Sequence, residues 1–173
     1  MGQITCSRPD QIGICSHAVE LLPAAFTASQ SWNPQRIRAL AMYCSDGRWG
    51  DAFDEFCHDR LWIPRYDRFA VPGGPAWLTG DHAAVGSILS HAAWEQLGLL
   101  VRVHELQRIV LMAHYGCAFY MERLGQDAEG CVSVQVEDLE RAGDAVKTRF
   151  PQICVETFMA MREDEKLAFH RIV

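Results

Sequence analysis

Two short stretches of this chain gather side chains that can bind a metal and handle a proton: Cys44-Ser45-Asp46-Gly47-Arg48 and His114-Tyr115-Gly116-Cys117. They supply two thiols and an imidazole, borderline-soft ligands that suit tetrahedral zinc. Cys44, His114 and Cys117 together leave a fourth coordination position, as a catalytic site does and a closed structural site does not. Asp46 stands two residues beyond Cys44, so in an extended segment both point to one side. Arg48, two further on, can clamp that carboxylate through a bidentate pair. Such a pair keeps Asp46 ionised and fixed, ready to accept a hydrogen bond from a metal-bound water.

The two stretches lie far apart in the chain, so the fold must bring them together. Residues 37–43 (IRALAMY) form a short apolar run stopping at Cys44, which predicts a buried strand. Apolar residues at Trp49, Phe53, Phe56, Cys57 and Leu61 predict a helix over 49–61. A second strand is expected at 66–71 (YDRFAV), ended by Pro72-Gly73-Gly74-Pro75. Residues 82–104 read as a long helix kinked near Gly98, and 108–113 (RIVLMA) as a strand ending at His114. The stripe Val136, Leu139, Ala142, Val146 and Phe150 predicts a helix closed by Pro151. Two last strands, 153–161 and 167–173, flank the turn-prone residues 162–165.

Alternating strands and helices predict an α/β fold, a mostly parallel open sheet with helices on both faces. Right-handed crossovers narrow the topology. Ligands of such sheets bind beyond the carboxyl ends of the strands, where the strand order reverses. In the order 2-1-3-4-5, the strands leading to Cys44 and His114 are neighbours at that point. The expected organisation is an N-terminal arm over 1–33 and one zinc domain over 34–173.

The pattern C-x-D-x-R, followed on a later strand by H-x-x-C, resembles the β-class carbonic anhydrases. The resemblance covers about 37–173; the two motifs are its specific part, and the long helix ahead of the H-x-x-C strand is also similar. It implies Zn2+ held by Cys44, His114 and Cys117, with Asp46 and Arg48 as the catalytic dyad. The implied reaction is hydration of carbon dioxide to bicarbonate by zinc-bound hydroxide, in a homodimer or a tetramer built from two dimers. In some members the matching Asp occupies the fourth zinc position instead, and the motif leaves both arrangements open. This chain departs from the family pattern at Tyr115, Gly116, Ala118 and Phe119, and has Val71-Pro72-Gly73-Gly74 where a pocket-lining stretch is usual. Those departures keep alternatives open: carbonyl sulfide or carbon disulfide as substrate, or a zinc-binding protein without carbonic anhydrase activity.

With 173 residues and 49% hydrophobic content, the chain can bury one sizeable core. Its formal net charge of -6 and scattered Lys and Arg argue against a nucleic-acid partner. No apolar run approaches the roughly 20 residues that cross a bilayer. The N-terminus lacks the pattern of a secretory signal and has Cys6 where myristoylation wants Ser or Thr, so no membrane partner and a cytoplasmic location are expected. Seven cysteines, odd in number and irregular in spacing, predict no disulfide framework. Cys6, Cys15, Cys57, Cys131 and Cys154 are expected as buried core thiols. Among the remaining histidines, expected on the surface or satisfied in the core, His82 is a candidate proton shuttle after the glycine-rich turn. Cys117 to Arg123 has the C-x5-R spacing of a cysteine-dependent phosphatase. That loop needs glycines, and Ala-Phe-Tyr-Met-Glu fills it here, so no phosphate site is expected.

Overall fold

The two most apolar runs become the centre of the sheet. In the computed structural model, which describes residues 23–80 and 86–172, β1 (Ala39–Cys44) and β3 (Arg108–His114) lie side by side in parallel, with Met42 opposite Leu111. Leu40, Met42, Ile109, Val110, Leu111 and Met112 are all fully buried. A strand covered on both faces needs such an unbroken apolar run. Burying each of these side chains contributes about 1.5–3 kcal/mol.

Outside this pair, β2 (Asp67–Val71) runs parallel to β1, and β4 (Cys154–Glu163) runs parallel to β3. The last strand, β5 (Lys166–Ile172), turns back antiparallel on β4, so the order is β2-β1-β3-β4-β5. The turn between them is shorter than expected. β4 reaches Glu163, and Asp164 takes a positive φ of 53° to reverse the chain.

Helices cover both faces. On one, Ala93, Leu97 and Val101 of α2 (Ser87–His104) and Leu139, Ala142 and Val146 of α4 (Val132–Arg149) pack on Leu40, Met42, Ile109 and Leu111. On the other, Phe53, Cys57 and Leu61 pack on Ala41, Tyr43, Val110 and Met112. The single helix expected over 49–61 is instead α1 (Gly50–Glu55) running into a π-helical turn, Phe56–Arg60, where the Leu61 N–H bonds the Phe56 carbonyl at 3.0 Å. Trp62, at φ 56°, then turns the chain ahead of Ile63-Pro64, where the proline would obstruct a continuing helix.

Several boundaries differ from those the sequence predicts. Helix α2 passes through Gly98 without a break, and its expected first residues, His82 among them, lie outside the described residues, as do Cys6, Cys15 and His17. Helix α4 begins at Val132, four residues earlier than the apolar stripe suggests, because its buried face continues back through Gln135 to the N-cap Cys131. A short helix, α3 (Ala118–Leu124), and a 3-10 turn, Gly74–Leu78, add elements that periodicity did not indicate. Cys57 and Cys131 are buried as expected, whereas Cys154 opens the strand β4 and is exposed.

The chain divides into two units, Met1–Pro34 and Gln35–Val173; the described part of the first, 23–34, contains no helix or strand. Among the described residues no helix is long and apolar enough to cross a membrane.

Candidate metal centre

Cys44 and His114 are the last residues of neighbouring strands, and the strand order reverses between them. Cys117 follows three residues later, across the turn at Gly116 (φ 68°), and starts α3. Ligand atoms of Cys44, His114 and Cys117 all lie within 4.8 Å of one another, and all three residues are buried. The two sulfurs are 3.7 Å apart. Two thiolates each about 2.3 Å from a tetrahedral zinc stand roughly 3.8 Å apart, so the spacing suits one shared cation.

His114 adds the more telling observation. Its Nδ1 lies 2.9 Å from the Tyr115 carbonyl, which can only accept, so Nδ1 carries the proton and Nε2 presents a lone pair. Nε2 is buried and has no hydrogen-bond partner among the described residues. A buried polar atom left in that state costs stability, and a cation removes the cost. Carbonyl-anchored imidazoles with the opposite nitrogen free are the usual form of a metal-ligating histidine. Trp49 packs beside the ring, centroids 4.8 Å apart, and Phe53 approaches its edge.

The thiols are electrostatically uneven. The Cys44 thiol is held well below its ordinary range, first by the hydrogen bond from Cys117 and, against the cost of burial, by the N–H groups of Gly73 and Asp46. The Cys117 thiol is pushed up by Cys44 and by burial. Two buried sulfurs in contact resist carrying two negative charges at once, because each raises the cost of ionising the other. A divalent cation supplies a counter-ion and suits both as thiolates.

The Pro72-Gly73-Gly74 turn shapes the back of the site. The Gly73 N–H points at the Cys44 sulfur, 3.4 Å away. Gly74 has φ 53°, and a Cβ there would stand 2.7 Å from the Tyr43 carbonyl carbon and 2.8 Å from the Cys44 nitrogen. Gly74→Ala should therefore cost about 1–3 kcal/mol in thermal unfolding and weaken any metal retention with it, since the backbone it displaces carries Cys44.

Asp46 and Arg48 form the pair the sequence suggests. Arg48 Nε and Nη2 reach the two carboxylate oxygens, Nη2 at 2.5 Å, and the Arg48 backbone N–H adds a third contact at 3.1 Å. Those bonds bring the Asp46 carboxyl down to about 2. Of the two arrangements the motif left open, the structure has Asp46 turned to Arg48. Beside the pair opens a cavity of about 290 Å³ lined by Arg48, Trp49, Tyr115, Gly116, Arg162 and Leu167.

The other candidates fall away from this centre. Arg123 lies over the Phe119 ring, 4.5 Å from its centroid, and Cys117 is 1% exposed, which leaves a phosphatase reading without an accessible nucleophile. Burial pushes the Cys57 thiol up to about 11, making it an inert core residue. His104 pairs with Asp67 and His170 with Glu163. Sequence reading missed Tyr120, Gln135 and Asp138, three buried polar residues behind the Cys-His-Cys group. The signal available was positional: Gln135 and Asp138 continue the apolar stripe of α4 toward its start.

The fold and site thus define a doubly wound α/β domain with a buried Cys-His-Cys group that can hold a metal ion at the switch point of its sheet. No protein-family model matches the chain. An uncharacterized protein of Rickettsia conorii is 26% identical over 125 residues, a match covering 69% of this chain and 65% of that protein. In fold the chain is similar to β-carbonic anhydrases. Isoform I from Trichomonas vaginalis aligns with 16% identity and a TM-score of 0.45, covering 81% of this chain and 86% of that one. CafD from Aspergillus fumigatus aligns with 10% identity and a TM-score of 0.48, covering 85% and 95%. CafA from the same fungus aligns with 14% identity and a TM-score of 0.48, covering 79% and 76%.

Proposed function

We propose that this chain is a zinc-dependent lyase that hydrates carbon dioxide to bicarbonate. The observation that carries the reading is the His114 Nε2 lone pair, buried without a partner beside two sulfurs spaced for one cation, next to a carboxylate held ionised by Arg48. Zinc held by Cys44, His114 and Cys117 would supply Lewis acidity, which lowers the pKa of water toward neutral.

The chain's own residues do the rest. Asp46 accepts a hydrogen bond from the attacking water and fixes its orientation. Arg48 holds Asp46 in place through its paired N–H donors. Trp49 and Phe53 exclude bulk water from one side of His114. Arg48 and Arg162, both lining the adjoining cavity, suit the negative charge of bicarbonate as it leaves. In this reading the working form is a homodimer or a tetramer built from two dimers. The aromatic and aliphatic wall of the cavity, Trp49, Tyr115 and Leu167, also suits less polar relatives of carbon dioxide, and favours carbonyl sulfide or carbon disulfide as the second reading.

Metal analysis of the purified chain together with stopped-flow carbon dioxide hydration tests the proposal. One zinc per chain with turnover supports it. Zinc without carbon dioxide turnover, but with sulfide release from either sulfur compound, replaces the substrate.

The Asp46–Arg48 pair also predicts a pH effect. The folded-state carboxyl lies near 2, below the ordinary value of about 4, so the pair's contribution is fully present above that ordinary value. It fades as pH falls toward 2. Arg48→Ala should therefore flatten the loss of stability between about pH 4 and pH 2 in acid unfolding, while leaving the neutral-to-alkaline limb of the activity profile in place.

A further inference from the structure

Helix α4 packs on the sheet through Leu139, Ala142 and Val146, yet the first part of the same buried face carries Gln135 and Asp138. Gln135 is 0% exposed and Asp138 1%. Polar groups buried this deeply persist where their hydrogen bonds specify an arrangement that apolar packing would leave loose. Gln135 Nε2 donates to the backbone carbonyl of His114 at 2.8 Å. The Tyr120 hydroxyl donates to Asp138 Oδ2, also at 2.8 Å. Tyr120 belongs to the first turn of α3, where its N–H bonds the Cys117 carbonyl at 3.1 Å. One face of one helix thus grips the chain at both ends of H-x-x-C.

Gln135 Oε1 has no hydrogen-bond partner among the described residues, so stability alone is a weak reason for an amide at this position. What its single bond does is hold the peptide next to the one whose carbonyl anchors the His114 ring. We infer that Gln135 and Asp138 are positioning residues for the metal centre: Gln135 sets the backbone that aims the His114 imidazole, and Asp138, through Tyr120, sets the turn that carries Cys117. This rests on Cys44, His114 and Cys117 holding a metal, as proposed above. Both residues act at one remove and touch neither metal nor substrate.

The test uses the full chain as wild type, Gln135→Met and Tyr120→Phe. Zinc affinity is measured by competition with a chromophoric chelator, and site geometry by the visible absorption of the cobalt(II)-substituted protein. Both variants are expected to keep their far-ultraviolet circular dichroism, lose about 10–100-fold in zinc affinity, and shift the cobalt bands. Should Gln135→Met fail to fold, Gln135→Leu takes its place for the His114 bond, while Tyr120→Phe, which removes one hydroxyl, tests the Asp138 bond on its own. Folded variants with unchanged affinity and unchanged cobalt bands overturn the inference and leave the metal centre standing. A wild-type chain that takes up neither zinc nor cobalt overturns the metal reading and this inference with it.

Discussion

Cys117→Ser should leave the protein folded and nearly free of zinc after dialysis, where the wild type keeps one ion per chain. A serine hydroxyl does not ionise at neutral pH and is a poor zinc ligand, so a two-residue remnant of the site remains. The same substitution removes the stabilisation that binding adds. A ligand held at a thousand times its dissociation constant stabilises a fold by about 4 kcal/mol. For a domain of this size each kcal/mol moves the melting temperature by about 2–4 °C, so zinc should raise that of the wild type by roughly 8–16 °C and that of Cys117→Ser hardly at all. Inductively coupled plasma mass spectrometry and thermal melts with and without a chelator measure both. Cys154→Ser, at an exposed thiol away from the centre, is the matched control and should behave as wild type. Equal zinc content in the two serine variants would contradict the ligand assignment.

Asp46→Asn should keep its zinc and lose carbon dioxide hydration by roughly 10²–10⁴-fold, the usual worth of a positioned proton acceptor. The amide is nearly the same size as the carboxylate, but one of its two polar atoms donates, so it cannot receive Arg48 and the water in the same way. Arg48→Ala should cost less, because Asp46 keeps its charge and loses its fixed orientation. That order of effects distinguishes a group that meets the reacting water from one that holds it in place. Stopped-flow indicator assays from neutral to alkaline pH give both losses. An Asp46→Asn protein as active as wild type would remove the carboxylate from the mechanism while sparing the metal.

How far the site could be read from sequence depended on how local its causes are. The strand β3 was legible almost to the residue, because Arg108 to Ala113 is an apolar run that makes sense only when covered on both faces. The convergence of Cys44 and His114 followed from that run, the run before Cys44, and the rule that places ligands beyond parallel strand ends. The π turn after α1 was hidden because its apolar spacing also fits an ordinary helix. Helix α3 is only seven residues long and begins directly after Cys117, which is too short for periodicity to reveal. Gln135 and Asp138 were missed for a different reason. Polar residues near a helix start read as solvent-facing, and only the tertiary contacts with His114 and Tyr120 show that they are buried.

The 3.7 Å between the Cys44 and Cys117 sulfurs has a redox consequence as well. A disulfide bond is about 2.05 Å long, so a closing movement under 2 Å would join them. The more acidic thiol of such a pair is the one peroxide attacks first, and the resulting sulfenic acid condenses with its neighbour. Coordination engages the sulfur lone pairs that this oxidation needs. Metal loading and the resistance of this pair to peroxide should rise and fall together, so the same spacing that suits a cation also suits a disulfide.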